Sequence, residues 1–323
     1  MIEFRSLKSE EMEQWFQHCM YVFNLGTYSE KLKNYFMNHW YNDPWRELES
    51  IFVAVEGGKV LSTVRVFHRK IYLQGQIISM GGIGEVSTKP ECRGLGLSTK
   101  LLGLAIDRME IMGINVSTLG TGEDKLGYYG RLGWQSLPRA FNIAKVKAQE
   151  NIEITTRPVS YEKDILSIRD MYKQYSKKVS GAIVRDNEYY WENWVETEYK
   201  NCLIAEKDGK AVAYMDIQQS DMNIRVREFG AQAGYEGLFK DMLQDIVSTS
   251  GLGEGLVKYP ASIETEVYVE KYVEEKGEMI RLITPFSLGD KNINTTEQLL
   301  DRMNVASYGE GKDCFTFWDA DGF

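Results

Sequence analysis

A chain of 323 residues, 43% hydrophobic and 26% charged, is long enough for two domains and has the composition of a globular protein. Its formal charge of -9 argues against broad nucleic-acid binding, which needs a basic face, and suits a cationic small substrate; no apolar run approaches the roughly 20 residues of a membrane helix. Four cysteines (Cys19, Cys92, Cys202, Cys314) and three histidines (His18, His39, His68) are scattered, which predicts no metal site, and the opening MIEFRSLKSEEMEQW has no basic-then-apolar leader, so the expected location is the cytoplasm.

In chain order, residue alternation and spacing predict a strand over 2–7 and helices over 9–23 and 29–40. Hairpins follow, pairing 51–55 with 60–67 around Gly57–Gly58, and 71–73 with 77–79 around Gly75. A strand over 83–88 ends before Pro90. A long amphipathic helix over 95–112, a strand over 116–119, a short helix over 124–132 and a strand over 141–146 complete the first half. From about 151 the order repeats: strand 152–156, helices 161–179 and 188–198, a hairpin of 203–206 with 211–218, strand 225–229 and helix 237–249. A strand over 279–283, a helix over 295–303 and a strand over 313–318 form the tail. The expected architecture is α/β (α+β), with two halves, 1–150 and 151–323, each a mixed, mostly antiparallel sheet flanked by helices.

Chemistry concentrates in GGIGEVSTKPECRGLGLSTKLLGLAIDRMEIMGINVSTLGTGEDKLGYYGRLGW, residues 81–134. A strand passes through Pro90 into Arg93-Gly94-Leu95-Gly96-Leu97-Ser98-Thr99, where the long helix begins. Small residues at Gly94, Gly96 and Ser98 let an anion approach the backbone, and the first N–H groups of a helix point outward unpaired. A diphosphate suits that array. A nucleotide P-loop would need GxxxxGK[ST], and a dinucleotide fingerprint would need a glycine where Thr99 stands.

Arg93–Ser98 resembles the pyrophosphate loop [QR]-x-x-G-x-[GA] of the GNAT acyltransferases, with Ser98 in place of Gly or Ala. VSTKPECRG is similar to that family's strand-to-loop passage, and LGYYGRLGW to its later motif Y-x-x-x-G-[FY], with Trp134 as the final aromatic. The tandem arrangement looks like the Eis-like branch, whose members are larger. The resemblance implies two tandem GNAT-like domains, the first (1–150) catalytic and the second (151–323) degenerate: in place of a glycine loop the second half has Arg227-Glu-Phe-Gly-Ala-Gln-Ala-Gly-Tyr235. It implies acetyl-CoA as co-substrate, held by Val86, Ser87, Thr88, Arg93, Gly94, Leu95, Gly96, Leu97, Ser98 and Thr99, in a splay between strands 83–88 and 116–119. The expected acid is Tyr129; for the base Glu85, water and the terminal carboxylate of Phe323 stay open. The expected partner is a small-molecule amine or a lysine, with neither nucleic acid nor membrane, and self-association stays open. A non-catalytic acyl-CoA-binding sensor is the alternative. Tyr189, Tyr190, Trp191 and Trp194 read either as buried core or as an amine-binding aromatic surface.

Overall fold

Two runs of β-branched and aromatic residues, KVLSTVRVFHRKIYL and QIISMGGIGEVST, form the longest strands, β3 (Lys59–Leu73) and β4 (Gln76–Thr88), in a computed structural model that describes residues 1–149, 152, 154–251, 253–303 and 314–323. The four short strands expected between 60 and 88 are therefore two long ones. Glycines inside β4 do not break it; they admit close neighbours. A Cβ on Gly81 would strike Met109 Sδ at 2.3 Å, and one on Gly82 would strike the ring of Phe323 at 1.9 Å.

Seven strands make the first sheet: β1 (Glu3–Ser6), β2 (Ile51–Glu56), β3, β4, β5 (Val116–Gly120), β14 (Glu278–Leu282) and β6 (Gln135–Ser136), in that spatial order. Every pair is antiparallel except β4 with β5. Helices α1 (Met12–Phe23) and α2 (Glu30–Tyr41) cover one face, where Trp15, Phe16 and Phe36 pack on Ile51, Val53 and Val55. Helix α3 (Leu97–Ile111) covers the other, burying Leu101, Leu102, Ala105 and Met109 against Phe52, Val64, Val66 and Ile83. Each large apolar side chain buried this way contributes about 1.5–3 kcal/mol.

The second sheet runs β13 (Lys271–Glu275), β7 (Arg139–Lys147), β12 (Glu254–Pro260), β11 (Asn223–Ala231), β10 (Lys210–Ser220), β9 (Cys202–Lys207), β8 (Thr155–Pro158). It packs with helix α5 (Tyr161–Ser176) and the helix Leu238–Thr249. A separate hairpin pairs β15 (Phe286–Leu288) with β16 (Lys291–Ile293). The helical stretch 188–198 contains a π turn at Trp191–Val195.

Sheet membership does not follow the expected division at 150. The strand expected to close the first half is β7, and it pairs with β12 and β13 of the second sheet. The tail strand is β14, and it sits in the first sheet between β5 and β6. Ladder bonds are indifferent to sequence distance, so an alternating strand joins whichever open edge the chain can reach.

The final strand expected over 313–318 begins at residue 313, outside the described residues, and 314–318 form no strand. Their polar groups go elsewhere. Thr316 N donates to Ser180 O at 2.7 Å, and Trp318 Nε1 donates to Ser176 Oγ at 3.3 Å. Asp319 binds Arg139 at 2.7 Å and Arg225 at 3.1 Å. Asp321 and Glu228 clasp Arg185 at 2.9 and 2.6 Å, with all three side chains fully buried.

Candidate active site

Pairing between β4 and β5 stops after three residues, Met80–Gly82 against Val116–Thr118. Beyond that the strands diverge, and β14 holds β5 from its far side along its whole length. A bulge adds to the divergence. Thr63 faces Ser87 and Arg65 faces Gly84, so Glu85 and Val86 together oppose Val64 alone. Glu85 has φ +54° there. A bulge removes a residue from the ladder and bends its strand. The splay expected between 83–88 and 116–119 is thus present.

At its outer end β4 turns through Pro90–Cys92 into the loop. Gly94 has φ +80° and Gly96 φ +71°, conformations that glycine adopts freely and other residues with strain. Gly96 is the N-cap of α3. No side chain caps that helix and its first turn carries no acid. Lys100 N is the first amide to reach a helical carbonyl, Gly96 O at 3.1 Å. The preceding amides of Leu97, Ser98 and Thr99 form the first turn of α3, and the loop residues 93–96 before them are exposed. Arg93 Nε donates to Thr88 O at 3.4 Å, tying loop to strand. This uncapped start of a 15-residue helix is a cradle for a diphosphate, and the splay beside it admits a slender arm, so the residues fit acetyl-CoA.

Tyr129 lies on α4 (Leu126–Gly130), buried with the α3 cluster beside Tyr128 and Trp134. Burial pushes its phenol up to about 12, and its hydroxyl has no hydrogen-bond partner among the described residues. Its neighbour does something the sequence did not reveal. The Tyr128 hydroxyl pairs with Ser98 Oγ at 2.9 Å and Thr99 Oγ1 at 3.3 Å, bracing the start of α3.

Glu85 projects to the opposite face. Its side chain is 5% exposed and meets Arg65 at 3.4 Å, while Oε2 is buried with no partner. Arg65 divides its charge between Glu85, Asp43 at 2.9 Å and the backbone oxygen of His39. Burial raises the Glu85 carboxyl to about 7; Arg65 opposes the rise and Asp43 adds to it. Acid and base candidates therefore stand on opposite faces of the sheet, and the splay is the opening between those faces.

Phe323 reaches this region. Its ring stacks on Phe67 at 4.7 Å, meets Phe317 edge-on at 5.5 Å and lies over Gly82, the last β4 residue paired to β5. Beside it is a cavity of about 150 Å³ walled by Thr118, Gly120, Glu278, Phe317, Asp319 and Phe323. Glu278 opens β14 directly across from Gly120. Sequence reading missed it, because its place depends on which sheet β14 joins.

Ser87 holds His18 Nε2 at 3.0 Å, and Ser62 Oγ pairs with Thr88 Oγ1 at 2.8 Å, so both residues fix the course of β4. Of the aromatic group, Tyr190, Trp191 and Trp194 are buried; Trp194 packs on His39 and Tyr190, while Tyr189 is exposed and donates to Tyr41 O. Among the described residues no group of three His, Cys, Asp or Glu is placed to hold a metal ion, and no helix is long and apolar enough to cross a membrane.

Residues 3–137 match the family model of the acetyltransferase (GNAT) domain. Among solved structures, the chain is similar in fold to a conserved Enterococcus faecalis protein described as a probable N-acyltransferase, at 18% identity over 88% of this chain and 73% of that one, TM-score 0.70. It is similar to a GCN5-related N-acetyltransferase from Anabaena variabilis, at 15% identity over 90% and 76%, TM-score 0.67. It is also similar to Eis1 from Mycobacterium abscessus, at 14% identity over 88% and 74%, TM-score 0.59. No curated protein matches the chain in sequence.

Proposed function

Residues 3–137 belong to the GNAT acetyltransferases, and from that premise we propose that the protein moves an acetyl group from acetyl-CoA to a primary amine in a ternary complex. The acceptor is an amine of a small molecule, aminoglycoside-like or a metabolite, or a lysine. The observation that carries this reading is the uncapped, glycine-led start of α3 standing at the end of the bulged, diverging strand β4. In it, Arg93 and the backbone of Gly94, Leu95, Gly96, Leu97, Ser98 and Thr99 hold the diphosphate, and β4 residues Val86, Ser87 and Thr88 line the arm. Bound there, acetyl-CoA supplies an activated acetyl carbon.

The chain's own groups manage the protons. An alkylammonium with pKa near 10.4 must lose a proton to attack, which costs about 4–5 kcal/mol at pH 7. Glu85 Oε2, unpartnered and titrating near 7, accepts that proton directly or through water. Tyr129 stays protonated at neutral pH and its hydroxyl donates to the departing thiolate. Phe323 closes the splay at Gly82. Its terminal carboxylate is a second proton acceptor in this reading, and an unchanged kcat after deletion of Phe323 removes that role.

The test is thiol release from acetyl-CoA with a panel of primary amines. Release that needs both the protein and an amine is expected. Coenzyme A binding without turnover on any amine would make the protein an acyl-CoA sensor instead.

A further inference from the structure

The cavity beside Phe323 holds a carboxylate that no side chain pairs. Asp319, Glu278 and the cation Arg139 all line it. Asp319 is held by Arg139 at 2.7 Å and Arg225 at 3.1 Å. Glu278 has no hydrogen-bond or salt-bridge partner among the described residues. Its backbone is fixed, with its carbonyl accepting from Leu137 N and its strand paired on both sides. Arg139, the cation that acts on it, donates to Asp319 and to Phe317 O. A half-buried carboxylate without a partner is costly unless something neutralises it. Burial favours its protonated form, with Arg139 opposing and Asp319 reinforcing. A cationic ligand would also neutralise it.

The remaining walls describe that ligand. Phe317 and Phe323 present apolar faces, suited to methylene groups and to the cation itself. Volume limits it, since about 150 Å³ is the room of a handful of waters at roughly 30 Å³ each. Contacts lead from this wall to the base: Phe323 stacks on Phe67, and Phe67 lies under the Arg65 guanidinium, 3.9 Å away, which pairs with Glu85. The cavity and the Glu85 carboxylate thus flank one aromatic wall at the mouth of the splay.

We propose that Glu278 binds a second cationic group of the acceptor, so that the substrate class is a slender diamine whose far ammonium rests on Glu278 and whose alkyl chain lies against Phe317 and Phe323. This assignment rests on the acetyltransferase reading of the same site. It makes Glu278 a specificity-determining residue that takes no part in proton transfer.

The test compares cadaverine with hexylamine, which has a methyl group in place of the second ammonium. The wild-type protein is expected to prefer cadaverine in kcat/KM by at least about tenfold, the worth of one charge-assisted hydrogen bond. Glu278→Gln is expected to lower kcat/KM for cadaverine by about ten- to a hundredfold, mostly through KM, and to change that for hexylamine by less than about threefold. Because both amines are read on one preparation, the ratio separates recognition from misfolding. A cadaverine preference that survives Glu278→Gln overturns the proposal, as does no preference in the wild type. An aminoglycoside turned over better than cadaverine overturns the size argument. If no amine is acetylated, the acetyltransferase reading falls, and calorimetric titration of both compounds into the coenzyme A complex decides the site. Cadaverine binding weakened at least about tenfold by Glu278→Gln, with hexylamine unaffected, upholds Glu278 as a cation site; equal binding of both compounds rejects it.

Discussion

The two sheets share a design and differ in what their diverging strands meet. In each, a bulged strand runs parallel to its neighbour for three residues and then leaves it: β4 from β5 after Gly82, β11 from β12 after Arg225. The first divergence leads to a glycine loop and an uncapped helix. The second is closed by the chain itself. Asp319 bridges Arg139 of β7 and Arg225 of β11, the strands on either side of β12. Where β4 offers Glu85 with a free oxygen, β11 offers Glu228, saturated by Arg185, Tyr199 and Tyr214. The first splay leaves its polar groups free, as the proposed cofactor site requires, and the second uses them to anchor the tail.

Four changes press on that contrast, beginning with the largest effect. Tyr129→Phe removes the proposed proton donor from the first splay; kcat is expected to fall about 10²–10⁴-fold with coenzyme A affinity unchanged, read by steady-state kinetics and calorimetry. Arg185→Leu strips the cation from the second and leaves Glu228 and Asp321 buried and unpaired. The expected loss is about 3–5 kcal/mol, a melting temperature lower by roughly 6–20 °C in scanning calorimetry. Gly96→Glu puts a strained residue and a negative charge into the loop, and coenzyme A should bind at least about a hundredfold more weakly. Titration should show one site per chain in the wild type; a second site that survives Gly96→Glu would mean that the second splay is open after all.

The smallest effect is a pH profile. Glu85 must be ionised to accept a proton, so kcat/KM should rise about tenfold per pH unit up to about pH 7 and then level. Glu85→Gln should abolish that limb. Stability runs the other way. A carboxyl raised from 4.5 to about 7 in the fold favours the native state fully below pH 4.5, and that contribution is lost as pH rises through 7. Glu85→Gln should therefore melt higher than the wild type at pH 8, the balance expected where a site is kept charged for function.

The loop and its helix were legible because their chemistry restricts residue type. Only glycine takes the φ of Gly94 and Gly96 without strain, and small residues alone let an anion approach. The strands around the splay were legible by alternation, although four apparent strands were two. Topology was hidden. Nothing in Glu278–Leu282 distinguishes a strand of one sheet from a strand of the other, so the seat of Glu278 beside the splay was hidden too. The strands Glu254–Pro260 and Lys271–Glu275 escaped notice for a related reason: charged side chains on sheet positions obscure the alternation. The contact of Tyr128 with Ser98 and Thr99 was hidden because adjacency to Tyr129 on a one-turn helix says little about where each hydroxyl ends.

The exchange of β7 and β14 between the sheets bears on how the molecule can be divided and inherited. A gene fragment ending at residue 150 would encode a first sheet with β5 bare along one edge and β6 without its neighbour, while β7 dangled. Exposed edges of that kind invite strand-to-strand aggregation. Recombination could not shuffle either half into another protein without leaving a gap in both. With the strands crossed over, each half completes the other's sheet.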